Sequence, residues 1–258
     1  MIKFQRLAFL ALAGLAAAGP IDTFTVKGPD SAISYLARPA GKDTARRAAL
    51  VLAPEWWGLN GYALRRAREL AEEGYVVLAV DFYGRRKVAT DFEAAKALAG
   101  GFYADPSRFR KVLASAVAKL KARPDVDSTK IGALGFCFGG TAVLEGARAG
   151  LPLVAVGSFH GGVKPFAPTP KGAVKGHVLV MHGGADPNVT MEAVTEFVKD
   201  FEAAGADYRV EVYPHAVHAF TNPNAGDDPS KGVAYNDAAE KASFEAFHSL
   251  LARTGLKP

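Results

Sequence analysis

Six short runs of continuously apolar residues recur along the chain, and amphipathic helical patterns separate them. Each run is too apolar to face water on one side, which is typical of a parallel sheet covered by helices on both faces. The predicted strands are 48–53, 75–80, 131–136, 153–159, 177–182 and 208–213, and the predicted helices lie near 60–73, 91–100, 106–122, 139–149, 190–204 and 235–253. Residues 22–36 are predicted to form a leading hairpin or an edge strand. The alternation predicts one three-layer α/β domain with a mostly parallel central sheet over residues 22–258.

The N-terminal residues have the pattern of a leader rather than of a folded element. The basic segment MIKFQR precedes the 12-residue apolar run LAFLALAGLAAA, and Ala16 and Ala18 occupy the −3 and −1 positions of a cleavage pattern. A bilayer-spanning helix needs about 20 apolar residues, so this run is too short for a permanent membrane span. Residues 1–18 are therefore predicted to be a secretory signal peptide, and the mature protein to be periplasmic or secreted without a membrane span.

Charge and cysteine content exclude several function classes. The chain has 31 basic and 26 acidic residues, and loss of Lys3 and Arg6 with the leader would leave 29 basic against 26 acidic, a net charge of +3. These charges are mixed along the chain, whereas nucleic-acid binding needs a concentrated basic patch. The single Cys rules out an internal disulfide and a multi-cysteine metal site. No nucleic-acid partner is expected.

That single cysteine lies in a glycine-rich turn between a predicted strand and a predicted helix. Residues 135–140 read G-F-C-F-G-G, which is the nucleophile-elbow pattern G-x-S-x-G with Cys137 in place of serine. The glycines suit a sharp turn in which side chains would collide, and the following helix dipole favours a thiolate. The alternative is a buried cysteine that has only a structural role. The pattern favours a nucleophile.

A cysteine nucleophile needs a base and a group that orients the base, and candidates follow the next strands. Asp186 ends the segment H-G-G-A-D after the predicted strand 177–182, and His215 and His218 follow the strand 208–213. This is the chain order nucleophile, acid, histidine of α/β-hydrolase sheets. Either histidine fits that order. As a metal-binding pair the two histidines lack a convincing third ligand.

Together these motifs resemble the dienelactone hydrolase family, also called carboxymethylenebutenolidases, within the α/β-hydrolase fold. The resemblance covers nearly everything after residue 22. It rests on the cysteine elbow, the H-G-G-A-D segment, an H-A-F motif at 218–220 and the segment P-E-W-W-G-L-N at 54–60. It implies a three-layer α/β-hydrolase fold in a single domain without a large cap.

The resemblance also implies roles for individual residues. Cys137 would be the nucleophile, Asp186 the acid and His218, rather than its neighbour, the base. The backbone N–H groups of Trp56 and Phe138 would form the oxyanion hole, which matches the general rule for this fold.

Substrate recognition is less well defined by the residues. The resemblance implies that Glu55 contacts the resting sulfur and that Arg85, after the D-x-Y segment containing Tyr83, pairs with a substrate carboxylate. A second arginine of the family is replaced here by Asn222, so recognition of a small carboxylated lactone should be weaker. A set of aromatic residues beside these motifs either walls a pocket or belongs to the core: Trp56, Trp57, Phe82, Tyr83, Phe138 and Phe220.

These observations predict a monomeric, cofactor-free, cysteine-dependent hydrolase of activated esters or enol-lactones that acts through a thioester acyl-enzyme. No metal site and no nucleotide-binding motif are indicated. Two alternatives remain open at this point. One is a broad-specificity exported carboxylesterase or acyltransferase, and the other is a non-catalytic, thiol-bearing ligand-binding protein.

Overall fold

A computed structural model of the protein describes residues 21–27, 32–41 and 45–258. The predicted signal peptide at residues 1–18 lies outside the described residues and stays a prediction. Within the described ranges, no helix has the length and apolar character needed to cross a membrane.

One eight-stranded sheet forms the centre of the molecule, in the order β1-β2-β4-β3-β5-β6-β7-β8. The strands are β1 (Ile21–Lys27), β2 (Ile33–Pro39), β3 (Arg47–Ala53), β4 (Val76–Ala79), β5 (Val126–Phe136), β6 (Ala155–Phe159), β7 (His177–Gly183) and β8 (Tyr208–Tyr213). Strands β3 to β8 are all parallel, whereas β2 pairs antiparallel with β4 and with β1. The predicted leading hairpin is confirmed as β1 and β2.

Six helices connect and cover these strands. They are α1 (Gly61–Glu72), α2 (Phe92–Ala104), α3 (Ser107–Lys121), α4 (Phe138–Arg148), α5 (Met191–Ala204) and α6 (Asp237–Arg253). Four of them begin at a polar residue whose side chain accepts a hydrogen bond from the first-turn backbone: Asn60, Asp91, Thr190 and Asn236. Such caps satisfy N–H groups that have no partner inside the helix. All six helices lie close to their predicted positions.

Alternate residues of β3 enter two separate hydrophobic cores, one on each face of the sheet. Ala49, Val51 and Ala53 belong to the core formed with α2 to α5, and Ala48, Leu50 and Leu52 belong to the core formed with α1 and α6. Because both faces are buried, the strand is apolar at every position rather than at every second one. The predicted single-domain, three-layer α/β-hydrolase fold is confirmed.

Two strands begin at positions that differ from the sequence-based expectation by two residues or more. β5 begins at Val126, five residues before the predicted start, because Val126 pairs with Arg47 of β3 ahead of an irregularity in the register. β6 begins at Ala155 rather than at residue 153, since Leu153 is held in a turn by a hydrogen bond from its N–H to Leu151. Neither difference moves the carboxyl end of a strand, where the candidate residues lie.

Candidate active site

Cys137 lies at the sharp turn between the end of β5 and the start of α4, with a φ of 53°. A side chain on either flanking glycine would not fit: a Cβ on Gly135 would lie 2.0 Å from the Gly139 carbonyl oxygen, and one on Gly139 would lie 2.1 Å from the Ala53 carbonyl oxygen. A left-handed conformation at a residue other than glycine costs on the order of 1–3 kcal/mol and persists where the surroundings enforce it. The turn therefore holds the half-buried Cys137 in a strained conformation.

A continuous hydrogen-bonded relay joins Cys137, His218 and Asp186. Nε2 of His218 lies 3.0 Å from Sγ of Cys137, and Nδ1 lies 2.8 Å from Oδ2 of Asp186. The other carboxylate oxygen of Asp186 accepts hydrogen bonds from the N–H groups of Asn188 and Val189, at 2.8 and 3.2 Å. The acid is thus fixed by the loop after β7, and the base is fixed by the acid.

The structure distinguishes the two histidines that follow β8. The side chain of Asp186 is fully buried while that of His218 keeps 14% of its surface exposed, so a small molecule can approach the imidazole. His215 is exposed on the same loop and lies outside the relay. Burial alone would lower the pKa of His218, but the charge of Cys137 and the hydrogen bond with Asp186 outweigh it and raise that pKa well above 6.5.

The N–H groups of Trp56 and Phe138 remain available to a ligand. No residue in the described part of the chain accepts a hydrogen bond from either group. Gly139 packs directly against the backbone of Ala53 and Pro54, which brings the start of α4 beside the loop after β3. The predicted oxyanion-hole donors therefore come from two segments that touch each other.

Glu55 is buried next to this site and pairs with Asn222. The Asn222 side-chain amide donates to the Glu55 carboxyl group at 2.7 Å. Desolvation raises the pKa of Glu55 to about 7, against the smaller opposing effects of Asn222 and the charge on His218. The expected contact between Glu55 and the resting sulfur is replaced by this pair, because the sulfur's hydrogen-bond partner is His218.

The loop after β4 carries Tyr83 and Arg85, the two residues expected to support the substrate. Tyr83 is held by a hydrogen bond, whereas Arg85 is not. The Tyr83 hydroxyl donates to the Trp56 carbonyl at 2.8 Å, so Tyr83 braces the loop that supplies one oxyanion-hole N–H. Asp81 holds the turn by accepting from the N–H groups of Tyr83, Gly84 and Arg86. Arg85 is exposed, and its guanidinium forms no hydrogen bond or ion pair with any described residue. The structure does not bring Arg85 into contact with the relay.

The aromatic residues near the motifs divide between the core and the site. Phe82, Phe138 and Phe220 are buried and serve the core, whereas Trp56, Trp57 and Tyr83 keep part of their surface exposed. Partly exposed aromatic rings of this kind are the apolar surface that typically lines small-molecule sites.

Three further residues near the site were given no role by the sequence analysis. Phe92 packs edge-on against Trp56, with ring centroids 4.8 Å apart. Burial, and next the charge of Cys137, raise the pKa of the Tyr103 hydroxyl above its usual range. His160 accepts a hydrogen bond from the Cys137 N–H at 3.1 Å. None of the three belongs to a recognisable motif, so only the folded structure shows them.

Within the described ranges, no group of three or more His, Cys, Asp or Glu side chains is arranged to hold a metal ion. The groups that the structure does assemble are a thiol, an imidazole, a carboxylate and two free backbone donors. Such a set is suited to nucleophilic attack on a carbonyl.

Comparison with known proteins identifies relatives of this chain. The model of the dienelactone hydrolase family matches residues 33–255. A relative from Escherichia coli K12, provisionally named a carboxymethylenebutenolidase, is 30% identical over 90% of this chain and 93% of its own length. A Bradyrhizobium relative named "Probable 2-oxo-3-(5-oxofuran-2-ylidene)propanoate lactonase" is 30% identical over 74% of this chain and 79% of its own.

A solved structure is similar over nearly the whole described fold. It is a dienelactone hydrolase-like promiscuous phosphotriesterase from metagenomic libraries, 36% identical, with a TM-score of 0.85 over 92% of this chain and 99% of that chain. The prediction of a carboxylic ester hydrolase is confirmed at the level of the family. The family model matches most of this chain, and the Escherichia coli relative aligns with 90% of it. The chain therefore belongs to the dienelactone hydrolase family.

Proposed function

We propose that this protein is a cysteine-dependent hydrolase of activated esters and enol-lactones that acts through a thioester intermediate. The observation that carries the proposal is the relay in which Nε2 of His218 lies 3.0 Å from Sγ of Cys137 while Nδ1 lies 2.8 Å from Asp186. A non-catalytic thiol protein would need the cysteine alone. The aligned base and acid favour an enzyme.

The reaction proceeds in two halves. His218 takes the thiol proton, and the thiolate of Cys137 forms a bond to the carbonyl carbon while the carbonyl electron pair moves to oxygen. The N–H groups of Trp56 and Phe138 stabilise that oxyanion. Collapse breaks the bond to the leaving oxygen, which departs with the proton from His218. Water, deprotonated by His218, then attacks the thioester, and the thiolate is expelled with the carboxylic acid as product.

A cysteine nucleophile limits the substrates to esters with good leaving groups. A thiolate itself leaves easily, so an intermediate with an alkoxide or an amide loses the sulfur and returns to the starting ester. When the competing group is an enolate or a phenolate, the acyl group stays on Cys137. We therefore expect little hydrolysis of amides or simple alkyl esters, and efficient peptide hydrolysis would contradict the proposal.

The residues around the relay favour substrates with at most one negative charge. Asn222 occupies the position of a second arginine and is already paired with the buried Glu55 at 2.7 Å. The exposed Arg85 is then the cation nearest in sequence to the Tyr83 brace. A neutral aryl ester or a monoanionic lactone fits this arrangement better than a dianion does.

Hydrolysis of aryl phosphotriesters is a second candidate activity. It is favoured by the 36% identity to the solved structure of a dienelactone hydrolase-like promiscuous phosphotriesterase. The same thiolate would attack phosphorus, with the phosphoryl oxygen in the oxyanion hole and a phenolate leaving. Release of p-nitrophenolate from paraoxon that disappears in Cys137→Ala would support this activity, and an equal rate in the variant would dismiss it.

Export of the protein is proposed on the pattern of residues 1–18. Expression of the full chain in a Gram-negative host, followed by N-terminal sequencing of the purified protein, tests this proposal. A mature N-terminus near Gly19 in the periplasmic fraction supports it. An intact N-terminus in the cytoplasmic fraction contradicts it.

Steady-state hydrolysis of p-nitrophenyl acetate tests the main proposal. Wild type should turn over many times, and Cys137→Ala and His218→Ala should fall at least a thousandfold. His215→Ala, three residues away and exposed, is the matched control and should match the wild type. A single stoichiometric burst would indicate acyl transfer or binding instead. Activity that survives in both relay variants would exclude Cys137 as the nucleophile.

A further inference from the structure

Cys137 and His160 are two strained residues that are tied to each other. Both are left-handed without being glycine, with φ values of 53° and 41°. The Cys137 N–H is shared between the Phe159 carbonyl oxygen at 3.0 Å and Nδ1 of His160 at 3.1 Å. Strain of this kind persists where surrounding contacts enforce it and is concentrated at functional sites. The hydrogen bond thus joins the nucleophile turn to the end of β6.

The hydrogen bond from Cys137 fixes the direction of a buried chain of bonds. Because Nδ1 of His160 accepts, Nε2 carries the proton and donates to the Thr221 hydroxyl, 2.8 Å away. That hydroxyl then donates to Tyr62 at 2.8 Å, and the Tyr62 hydroxyl donates to the Thr221 carbonyl at 3.1 Å. His160 and Thr221 have no exposed surface. Beyond the shared Cys137 N–H, each donor in the chain has one acceptor.

The same chain reaches the segment that carries the base. Thr221 lies three residues after His218 and directly before Asn222. The ring of His160 also packs edge-on against that of His218, with centroids 5.4 Å apart. His160 therefore contacts the backbone of the nucleophile on one side, and the base and its loop on the other.

His160 also stays neutral beside a charged partner. Complete burial, and next the charge of His218, lower the pKa of His160 well below 6.5. A second proton on Nδ1 would point at the Cys137 N–H and repel the imidazolium of His218. A neutral His160 adds no positive charge beside His218, so His218 can hold the proton that it takes from the sulfur.

We propose that His160 is a positioning residue that holds the sulfur of Cys137 and the imidazole of His218 at hydrogen-bonding distance, through its bonds to the Cys137 backbone and to Thr221. The inference rests on the proposed function, because it assigns His160 to the relay of that reaction. His160 makes no hydrogen bond to the sulfur of Cys137 or to the ring of His218, and it has no exposed surface with which to contact a substrate. Its loss leaves the Cys137 N–H bonded to Phe159, so the turn itself can still form.

Four substitutions separate the two bonds of His160. His160→Asn keeps an acceptor near the position of Nδ1, and His160→Gln keeps a donor near that of Nε2. His160→Leu removes both bonds at similar bulk. Thr221→Val leaves His160 in place and removes only the hydroxyl that accepts from Nε2. Circular dichroism and thermal unfolding select the variants that fold, and the Asn and Val variants decide the question if the Leu variant does not fold.

Two readouts are needed. The first is kcat and KM for p-nitrophenyl acetate, and the second is the rate of Cys137 alkylation by iodoacetamide between pH 5 and pH 9. For His160→Leu we expect kcat to fall about 10- to 100-fold, KM to change less than twofold, and the midpoint of alkylation to move to higher pH. His160→Asn and Thr221→Val should change both readouts in the same direction by less.

A folded His160→Leu or Thr221→Val variant with wild-type kcat and a wild-type alkylation profile would overturn the inference. Equal losses of kcat in all four variants with an unchanged alkylation midpoint would also overturn it, since they would indicate a purely structural role. The proposed function fails separately, through absence of turnover in the wild type. In that case the alkylation profile still decides whether His160 positions the sulfur.

Discussion

The relay and the Arg85 loop lie at the same edge of the sheet but are built in opposite ways. His218 is hydrogen-bonded to both Cys137 and Asp186, and Asp186 also accepts from the backbone N–H of Asn188. Arg85 is exposed, and its guanidinium has no partner within the described ranges. The reacting groups are therefore fixed before any substrate binds, whereas the recognition group must be ordered by the substrate. Chemistry should be sensitive to small changes at the relay, and binding should tolerate changes at Arg85.

The largest effect is expected from the acid of the relay. Asp186→Asn should lower kcat on p-nitrophenyl acetate by about 10³–10⁴-fold, because an amide favours the wrong imidazole tautomer of His218. KM should change little. Asp228→Asn is the matched control, since Asp228 lies on an exposed loop and should leave kcat unaltered. A loss below tenfold in a folded Asp186→Asn variant would show that catalysis does not depend on a base held rigidly by Asp186.

The nucleophile turn should be intolerant of a single added methyl group. Gly139→Ala would place a Cβ 2.1 Å from the Ala53 carbonyl oxygen, so we expect a loss of unfolding free energy of about 1–3 kcal/mol or more together with most of the activity. Urea denaturation measures the first effect. Gly100→Ala, in α2 with open space around it, should be neutral or stabilising by up to about 1 kcal/mol. Similar stability changes in the two variants would contradict the packing argument.

Glu55 should make stability depend on pH. Its pKa is raised to about 7 from an ordinary value of 4.5, so the folded state holds the proton more tightly than the unfolded chain. Its stabilising contribution is complete below about pH 4.5 and is lost as the pH rises through about 7. From pH 5 to pH 8, the unfolding free energy of wild type should fall relative to Glu55→Gln by on the order of 1–3 kcal/mol. If the unfolding free energies of wild type and Glu55→Gln changed in parallel with pH, Glu55 would not be the group responsible. Glu245→Gln, at an exposed position, serves as the control.

The smallest effect is expected at Arg85. Arg85→Ala should change kcat/KM for the neutral p-nitrophenyl acetate by less than twofold, because the exposed guanidinium forms no hydrogen bond or ion pair with any described residue. For a lactone with one carboxylate we expect a loss of about tenfold, the size of one charge-assisted hydrogen bond. The exposed neighbour Arg86→Ala provides the comparison. Equal losses on both substrates would place Arg85 in the architecture of the site rather than in recognition.

The positions of the strands and helices could be predicted because the fold imposes a strong pattern. A sheet buried on both faces needs apolar residues at successive positions, and the glycines at 135 and 139 mark the elbow. The carboxyl ends of the predicted parallel strands and the chain order of α/β hydrolases then suffice to place Cys137, Asp186 and a histidine at one edge. His215 and His218 lie on the same loop, and only the side chain of His218 points to Cys137 and Asp186.

The contacts between loops could not be predicted in the same way. The pairing of Asn222 with Glu55, the brace from Tyr83 to Trp56 and the bond between Cys137 and His160 join residues that are 167, 27 and 23 positions apart. No local pattern encodes such pairs, because they depend on how loops from different strands meet. The replacement of an arginine by Asn222 was visible in the sequence, but its new partner was not.

Acid quench followed by mass spectrometry tests the central claim most directly. Wild type and His218→Ala are mixed with p-nitrophenyl acetate, quenched within milliseconds to seconds and digested. We predict one acetyl group on the peptide that contains Cys137 in the wild type, appearing before steady state and removed by neutral hydroxylamine as a thioester should be. His218→Ala should acquire it far more slowly. Turnover without acetylation of Cys137, or acetylation at another residue, would contradict the account.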